Sequence, residues 1–278
     1  MKPSPTGTTL NVFRGSVSLV GMRFTILGCG TSTGVPVPGC RCGVCRSTDL
    51  RNHRLRTSGI IQSEDGRALL IDASADLRQQ TLRAGIERID GVLYTHTHAD
   101  HILGTDDLRC FNYTLQRRIP CYGTRTTLDE IRRFFNYIFD PRPNYEGGAL
   151  AQLDLHEIED TVPFEAAGFG VHPFPLEHGS SPVTGYRVGA LAYATDCNKV
   201  PAQAREILRG VRYLILDGLR FEAHRTHFTI PEAIKVAQEI GAERTILVHM
   251  THSIDFETVS AQLPPGIELG YDGLTLTF

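Results

Sequence analysis

One octapeptide limits what this chain can fold into more than any other stretch: Tyr94-Thr95-His96-Thr97-His98-Ala99-Asp100-His101. Three imidazoles and a carboxylate fall together directly after the apolar run Gly91-Val92-Leu93-Tyr94. In an extended chain, side chains two apart point the same way, so His96 and His98 leave a strand end together. Asp100 and His101 follow once the chain turns, and they reach a second point in space. Two nitrogens aimed at one spot, with an oxygen–nitrogen pair aimed beside it, is what a two-metal site requires. Histidine is otherwise scarce, 11 in 278 residues, so composition alone does not produce the cluster.

Three further thiols lie at C-x-C-x-x-C spacing in Gly39-Cys40-Arg41-Cys42-Gly43-Val44-Cys45. A glycine that bends the loop lets them converge, giving three of the four tetrahedral ligands that structural zinc takes. The total of seven cysteines is odd. The first twenty residues lack the apolar core of a signal peptide, and no stretch approaches eighteen consecutive apolar residues. A reducing cytoplasm, with no membrane attachment, is the expected setting. A net charge of −3 and a pI near 6.4 argue against a protein built to coat nucleic acid or an anionic membrane. Only Lys2, Lys199 and Lys235 among the 28 basic residues are lysine, a skew without functional weight.

Residues 1–21 read as a mobile amino-terminal extension, with Met22 an alternative start. Residues 22–278 read as one domain. Strands are expected at 22–28, 59–61, 68–71, 91–95 and 119–123, with a hairpin turn at 64–67. The loop Gly28-Cys29-Gly30-Thr31-Ser32-Thr33-Gly34-Val35-Pro36 lacks the ending of a P-loop and reads as a tight turn. Helices are expected at 75–84, stopped by Gly85, and at 127–138. Residues 140–148 read as a loop and a candidate lid. Strands then recur at 151–158, 168–175, 183–189, 190–195, 212–216 and 244–248, with closing segments at 267–271 and 273–278. Helices at 201–209, 230–240 and 255–262 intervene. Strand-rich halves with interspersed helices pack most simply as a two-sheet core flanked by helices.

Polar residues stand where apolar strands run out: Asp72, His178 after Phe174-Pro175-Leu176-Glu177, Asp196 after Ala192-Tyr193-Ala194-Thr195, and His249 after Ile246-Leu247-Val248. His227 precedes a helix in Thr226-His227-Phe228-Thr229. In layered α/β proteins such positions are where active-site groups stand.

Taken in order, Asp72, His96-x-His98-x-Asp100-His101, His178, Asp196 and His249 resemble the five motifs of the metallo-β-lactamase superfamily over about residues 22–278. The Cys40-x-Cys42-x-x-Cys45 loop and the His249-Met250-Thr251-His252 ending resemble the PhnP-like phosphodiesterase branch. The resemblance implies an α/β fold, a four-layer αββα sandwich with two mixed β-sheets flanked by helices. It implies one metal on His96, His98 and His178 and another on Asp100, His101 and His249, with Asp196 between them. Asp72 would orient the metal loop from behind. Cys40, Cys42, Cys45 and His252 would hold a third, structural zinc, and His227 matches the branch's catalytic histidine. Two divalent ions, zinc or manganese, would lower the pKa of a shared water, and His227 would protonate the departing alkoxide.

The expected partner is a small anionic phosphodiester, cyclic or linear, with Arg54, Arg56, Arg109 and Arg142 available to meet its charge. The resemblance also implies a homodimer. The same superfamily contains thioester hydrolases and tRNA 3′-end nucleases. No long insertion offers a tRNA-gripping arm, and the acidic balance suits no large nucleic acid. The chain also resembles the pyrroloquinoline-quinone biosynthesis B proteins, a non-hydrolytic alternative, although here every active-centre ligand type is present.

Overall fold

A run such as Ala68-Leu69-Leu70-Ile71, apolar at every position, suits a strand covered on both faces. In the computed structural model, which describes residues 21–141 and 147–278, that is how it lies. The chain forms β1 (Met22–Gly28), β2 (Ser58–Ser63), β3 (Ala68–Ile71), α1 (Leu77–Ala84), β4 (Gly91–Leu93), α2 (Ala99–Ile102), α3 (Arg109–Leu115), β5 (Ile119–Gly123), α4 (Arg125–Phe134), α5 (Asn136–Phe139) and β6 (Leu153–Glu157). It continues with β7 (Phe164–Ala166), β8 (Phe169–His178), β9 (Ser181–Val188), β10 (Leu191–Ala194), α6 (Ala202–Leu208), β11 (Tyr213–Asp217), α7 (Ile230–Ile240), β12 (Arg244–Val248), α8 (Phe256–Ser260), β13 (Ile267–Leu269) and β14 (Thr275–Thr277).

Two seven-stranded sheets result, in the orders β14-β1-β2-β3-β4-β5-β6 and β13-β12-β11-β10-β9-β8-β7. Each is mixed: β3 through β6 run parallel while β14, β1, β2 and β3 alternate, and β10 through β13 run parallel while β7 through β10 alternate. The period-2 geometry of a strand sorts the side chains between layers. Phe24, Ile26, Ile61, Leu69 and Ile71 share a core with Phe174, Tyr186 and Tyr193 of the other sheet. Leu27, Ile60, Leu70 and Val92 point the other way and pack with Leu77, Phe111 and Ile131 of α1, α3 and α4. Ala204 and Leu208 of α6, with Ala233, Val236 and Ala237 of α7, join the second sheet's side of the core. Burying each large side chain of this kind contributes about 1.5–3 kcal/mol relative to exposure. The four-layer αββα sandwich is therefore the observed architecture.

Some elements differ from the sequence reading. The helix expected at 127–138 is two helices, because Phe135 leaves helical geometry (φ −111°, ψ 40°) between α4 and α5. The first starts at Arg125, where the Thr124 hydroxyl caps the amide of Thr127. Helix α3 and strand β7 carry too little apolar periodicity to be read in advance. The extension at 1–20 and the middle of the 140–148 loop, including Arg142, lie outside the described residues. Among those described, no helix is long and apolar enough to cross a membrane.

Candidate metal centre

Strand ends of both sheets meet at one edge of the sandwich, and the polar residues stand there. Asp72 follows β3, His96 lies three residues past β4, His178 closes β8, Asp196 lies two past β10, Asp217 closes β11 and His249 follows β12. Asp72 (φ 62°), Asp196 (φ 44°) and His249 (φ 62°) hold the left-handed backbone that L-residues seldom adopt. A strand that continued in ordinary extended geometry would aim these side chains at one face or the other of the sheet. The turn lets them reach the rim beyond the strand ends, at a cost on the order of 1–3 kcal/mol each.

Two donor sets form, sharing one carboxylate. His96, His98, His178 and Asp196 offer ligand atoms all within 4.8 Å of one another, and Asp100, His101, Asp196 and His249 do the same. The Asp196 Oδ2 lies 3.6 Å from His96 Nε2, 3.3 Å from His101 Nε2 and 3.2 Å from His249 Nε2. The Nε2 atoms of His96, His101 and His249 and the Oδ2 of Asp100 are buried without a hydrogen-bond partner. Leaving such atoms unmet costs about 1–3 kcal/mol apiece. Imidazole nitrogens and carboxylate oxygens converging in this way fit a pair of divalent cations.

The rest of the chain fixes the orientation of these rings. Asp72, fully buried, accepts from the Thr95 amide (2.8 Å), the Thr95 hydroxyl (2.8 Å) and His101 Nδ1 (2.7 Å). With its hydroxyl proton committed to Asp72, Thr95 Oγ1 accepts from His96 Nδ1 at 2.9 Å. His178 Nδ1 donates to the Thr226 carbonyl at 2.7 Å. In each case Nδ1–H is tied outward and Nε2 faces the centre. Gly104 ends the metal loop where a Cβ would fall 2.1 Å from the Ser74 carbonyl oxygen, so glycine is what lets this loop lie against the turn after β3.

Burial works against charge on His101, but the carboxylates of Asp196 and Asp72 outweigh it and hold its pKa well above the ordinary value. Burial likewise opposes the Asp196 carboxylate, yet His101 and His249 outweigh it and hold that pKa well below the usual range. Burial, with His101 adding to it, keeps His96 neutral. A divalent cation held here would take over from protons the balancing of the Asp196 carboxylate.

Asp217, which the sequence reading did not single out, belongs to the same edge. Its Oδ2 accepts from His227 Nδ1 at 2.7 Å and from the Cys197 amide at 3.0 Å, and it is fully buried. His227 stacks on His249 (centroids 4.6 Å, 11°) and meets His178 edge-on (4.4 Å, 70°). The available signal was positional: Asp217 ends the apolar strand Leu214-Ile215-Leu216, just as Asp72 follows Leu70-Ile71.

A separate group lies on the rim. The thiols of Cys40, Cys42 and Cys45 stand 3.2, 3.5 and 3.5 Å from His252 Nδ1. These are close to the edges, about 3.5 Å, of a tetrahedron with zinc at its centre. The Cys45 amide donates to the Cys42 sulfur, and that bond leads the causes lowering the Cys42 pKa to about 6, while burial pushes the Cys45 thiol up to about 11, so the thiolate a metal takes is favoured first at Cys42.

Among the described residues, three of the arginines expected to meet substrate have partners within the chain. Arg54 is 1% exposed and donates to the carbonyls of Thr251 (3.1 Å) and Ile254 (2.8 Å) and to Asn52 Oδ1 (3.0 Å). It holds the segment after His249 against the loop before β2 and is closed to any ligand. Arg56 pairs with Asp76 at 2.7 Å and Arg109 with Asp106 at 3.0 Å. Arg54→Ala is expected to destabilise the fold by about 2–4 kcal/mol, since it leaves buried carbonyls unmet. Urea unfolding checks this, and an unshifted midpoint at unchanged slope would refute it.

Comparison with known proteins adds the following. A family model described as beta-lactamase superfamily domain matches residues 67–250. The chain is 42% identical over 255 residues to an octanoyltransferase of Porphyromonas gingivalis, covering 91% of this chain and 51% of that one. It therefore spans about half the length of that relative. Coenzyme PQQ synthesis protein B of Methylobacterium radiotolerans is 31% identical over 230 residues, covering 71% of this chain and 73% of the other. A solved structure described as a new diphosphatase from the PhnP family superposes with a TM-score of 0.86 at 39% identity, over 93% of this chain and 97% of that chain.

Proposed function

The chain belongs to the metallo-β-lactamase superfamily, in its PhnP-like branch, and from that premise we propose that it is a binuclear phosphoester hydrolase acting on small anionic substrates. The observation that carries this reading is the position of Asp196, whose carboxylate belongs to both donor sets. His96, His98 and His178 would hold one ion, and Asp100, His101 and His249 the other. Zinc suits the imidazole-rich set, and manganese suits the carboxylates. When bound, two divalent ions make a water acidic enough to attack at neutral pH and offset charge on the phosphoryl oxygens.

The chain's own residues supply the rest. Asp217 fixes His227 as the Nδ1–H tautomer when neutral, so its Nε2 is the nitrogen left to carry a proton toward substrate. When phosphorus is attacked, the P–O bond to the departing group breaks and its electron pair stays on the departing oxygen. A protonated His227 delivers the proton that oxygen needs. Asp72 and Thr95 keep the His96 and His101 rings from turning as charge moves. Reduced thiols at Cys40, Cys42 and Cys45 would hold a structural zinc with His252 and suit a reducing compartment such as the cytoplasm.

The test is turnover by purified, metal-loaded protein of bis(p-nitrophenyl) phosphate, a 2′,3′-cyclic nucleotide and an acyl thioester. Turnover of a phosphoester but not the thioester is expected. The thioester is the second reading, favoured by the 42% identity to a protein named for octanoyl transfer. Turnover of the thioester alone would establish it, and turnover of none would favour a non-hydrolytic role. Cys42→Ser is expected to lower bound zinc by one equivalent and to lower Tm, while His98→Ala spares that equivalent. Metal analysis of both variants checks the assignment; an unchanged zinc content in Cys42→Ser would remove it.

A further inference from the structure

A cavity of about 310 Å³ opens beside the metal centre, and His227 forms part of its wall. Thr31, Ser32 and Thr33 line it on one side, Arg220 and His224 on the other, and Thr251 contributes to the remaining wall. The Thr31 amide donates to the Met250 carbonyl (3.1 Å) and the Thr251 amide to the Leu219 carbonyl (3.0 Å), so both walls are tied to the segment that follows His249.

The chemistry of this lining is one-sided. Besides the apolar Val37 and Leu219 and the rim residue His252, it contains a guanidinium, two imidazoles and side-chain hydroxyls, and no carboxylate. Arg220 donates from Nε to the Glu222 carbonyl (3.2 Å) and from Nη2 to the Ala223 carbonyl (3.3 Å). These bonds fix the plane of the guanidinium while Nη1 keeps its donors. His224 lies 5.1 Å from His227 between ring centroids. Its Nδ1 stands 3.4 Å from the Thr226 amide and 3.3 Å from the Thr226 hydroxyl as their acceptor, which places the proton of the neutral ring on Nε2. The pocket thus presents donors from a cation and an imidazole, opposite three successive hydroxyl-bearing residues.

Its placement gives that chemistry a role. An acid that protonates a departing oxygen must stand on the departing side of phosphorus. Because His227 belongs to this wall, the departing group enters this cavity and the other half of the substrate lies on the far side. Resting on the phosphoester reading, we infer that the cavity between Thr31–Thr33 and Arg220–His224 is the subsite for the departing group, and that this group is a hydroxyl-bearing phosphate monoester. The substrate class is then a diphosphate diester. Water adds its oxygen to one phosphorus, the bond from that phosphorus to the bridging oxygen breaks, and the electron pair remains on the bridging oxygen. That oxygen takes the proton from His227 and becomes a terminal hydroxyl of the departing phosphate, whose remaining charge Arg220 meets, while the proton lost by the water passes to solvent.

The experiment compares kcat/KM on ADP-ribose, whose departing group is a sugar phosphate or nucleotide, with that on bis(p-nitrophenyl) phosphate, whose departing group carries no phosphate. Arg220→Met is expected to lower the ratio of the two by about 30-fold, the value of one charge-assisted hydrogen bond in a partly screened site. Thr33→Glu, at an exposed loop position where folding is not at stake, places a carboxylate on the opposite wall and is expected to lower the ratio by at least about 10-fold. Calorimetry with ribose 5-phosphate should show binding to the wild-type holoprotein that both variants weaken. An unchanged ratio in both variants would overturn the inference, as would wild-type turnover of bis(p-nitrophenyl) phosphate with none of ADP-ribose. In either case phosphoester hydrolysis itself would stand. Turnover of neither phosphoester would overturn the underlying reading, and the inference with it.

Discussion

Asp196→Ala is expected to abolish activity, by at least about 10³-fold, and to empty the active centre of both ions rather than one. Of the two donor sets assigned to the ions, every other member belongs to one, whereas the Asp196 carboxylate stands in both. Its removal leaves His96, His98 and His178 as one cluster of neutral donors, and His101, His249 and Asp100 as another with a single negative charge. Two dications brought that close, without the anion between them, repel each other strongly in a site this buried. Metal analysis alongside turnover checks the expectation, and the structural thiolate site should keep its own equivalent throughout. A variant that retained two active-centre ions would show that Asp196 does not bridge them, and the binuclear reading would fail. His98→Ala is the useful contrast. His98 is exposed and belongs to one set only, so its loss should weaken one ion and spare the other.

His227→Ala should behave in the opposite way, with both ions kept and turnover lowered by about 10²–10⁴-fold, the range a positioned proton donor supplies. The geometry frames the question sharply, because Asp196, Asp217, His227 and His249 also present ligand atoms within 4.8 Å of one another. If His227 were a ligand, its removal would lower the metal content. If it is the acid, the metal content is untouched and the loss is greatest for substrates with poor leaving groups, which depend most on protonation. Asp217→Asn should give a smaller loss, about 10–100-fold, by allowing His227 the wrong tautomer. Turnover in His227→Ala equal to wild type would remove this residue from the chemistry.

Much of this site was legible in one dimension because its parts follow local rules. The alternation of an extended chain places His96 and His98 on one side, and Asp100 and His101 follow on the turn of α2. Strand ends such as Ile71-Asp72 and Val248-His249 carry the same signal, an apolar run stopping at a polar group. Asp217 obeys that rule and was still passed over, since a lone aspartate after a strand looks like any surface carboxylate until its partner is known. That partner, His227, lies ten residues away across a loop whose path no local pattern dictates. Arg54 was misplaced for the complementary reason. Arg54 sits in a basic patch of sequence, but it is buried by Thr251 and Ile254, about 200 positions distant.

What the sequence determined by itself was therefore the inventory: which side chains can ligate, which stretches are strands covered on both faces, and where each stops. Those properties depend on neighbours within a few residues, and backbone geometry enforces them locally. The tertiary structure alone decided which of these ends meet. Pairing β1 with β14 joins Thr25 to Thr275, and Asp196 reaches His101 only because two sheets with separate strand orders pack face to face, with their strand ends at one rim. The energy that selects such pairings is spread over the buried core and belongs to no single segment. The position of the shared carboxylate, and of the cavity beside His227, follows from the packing of the whole chain.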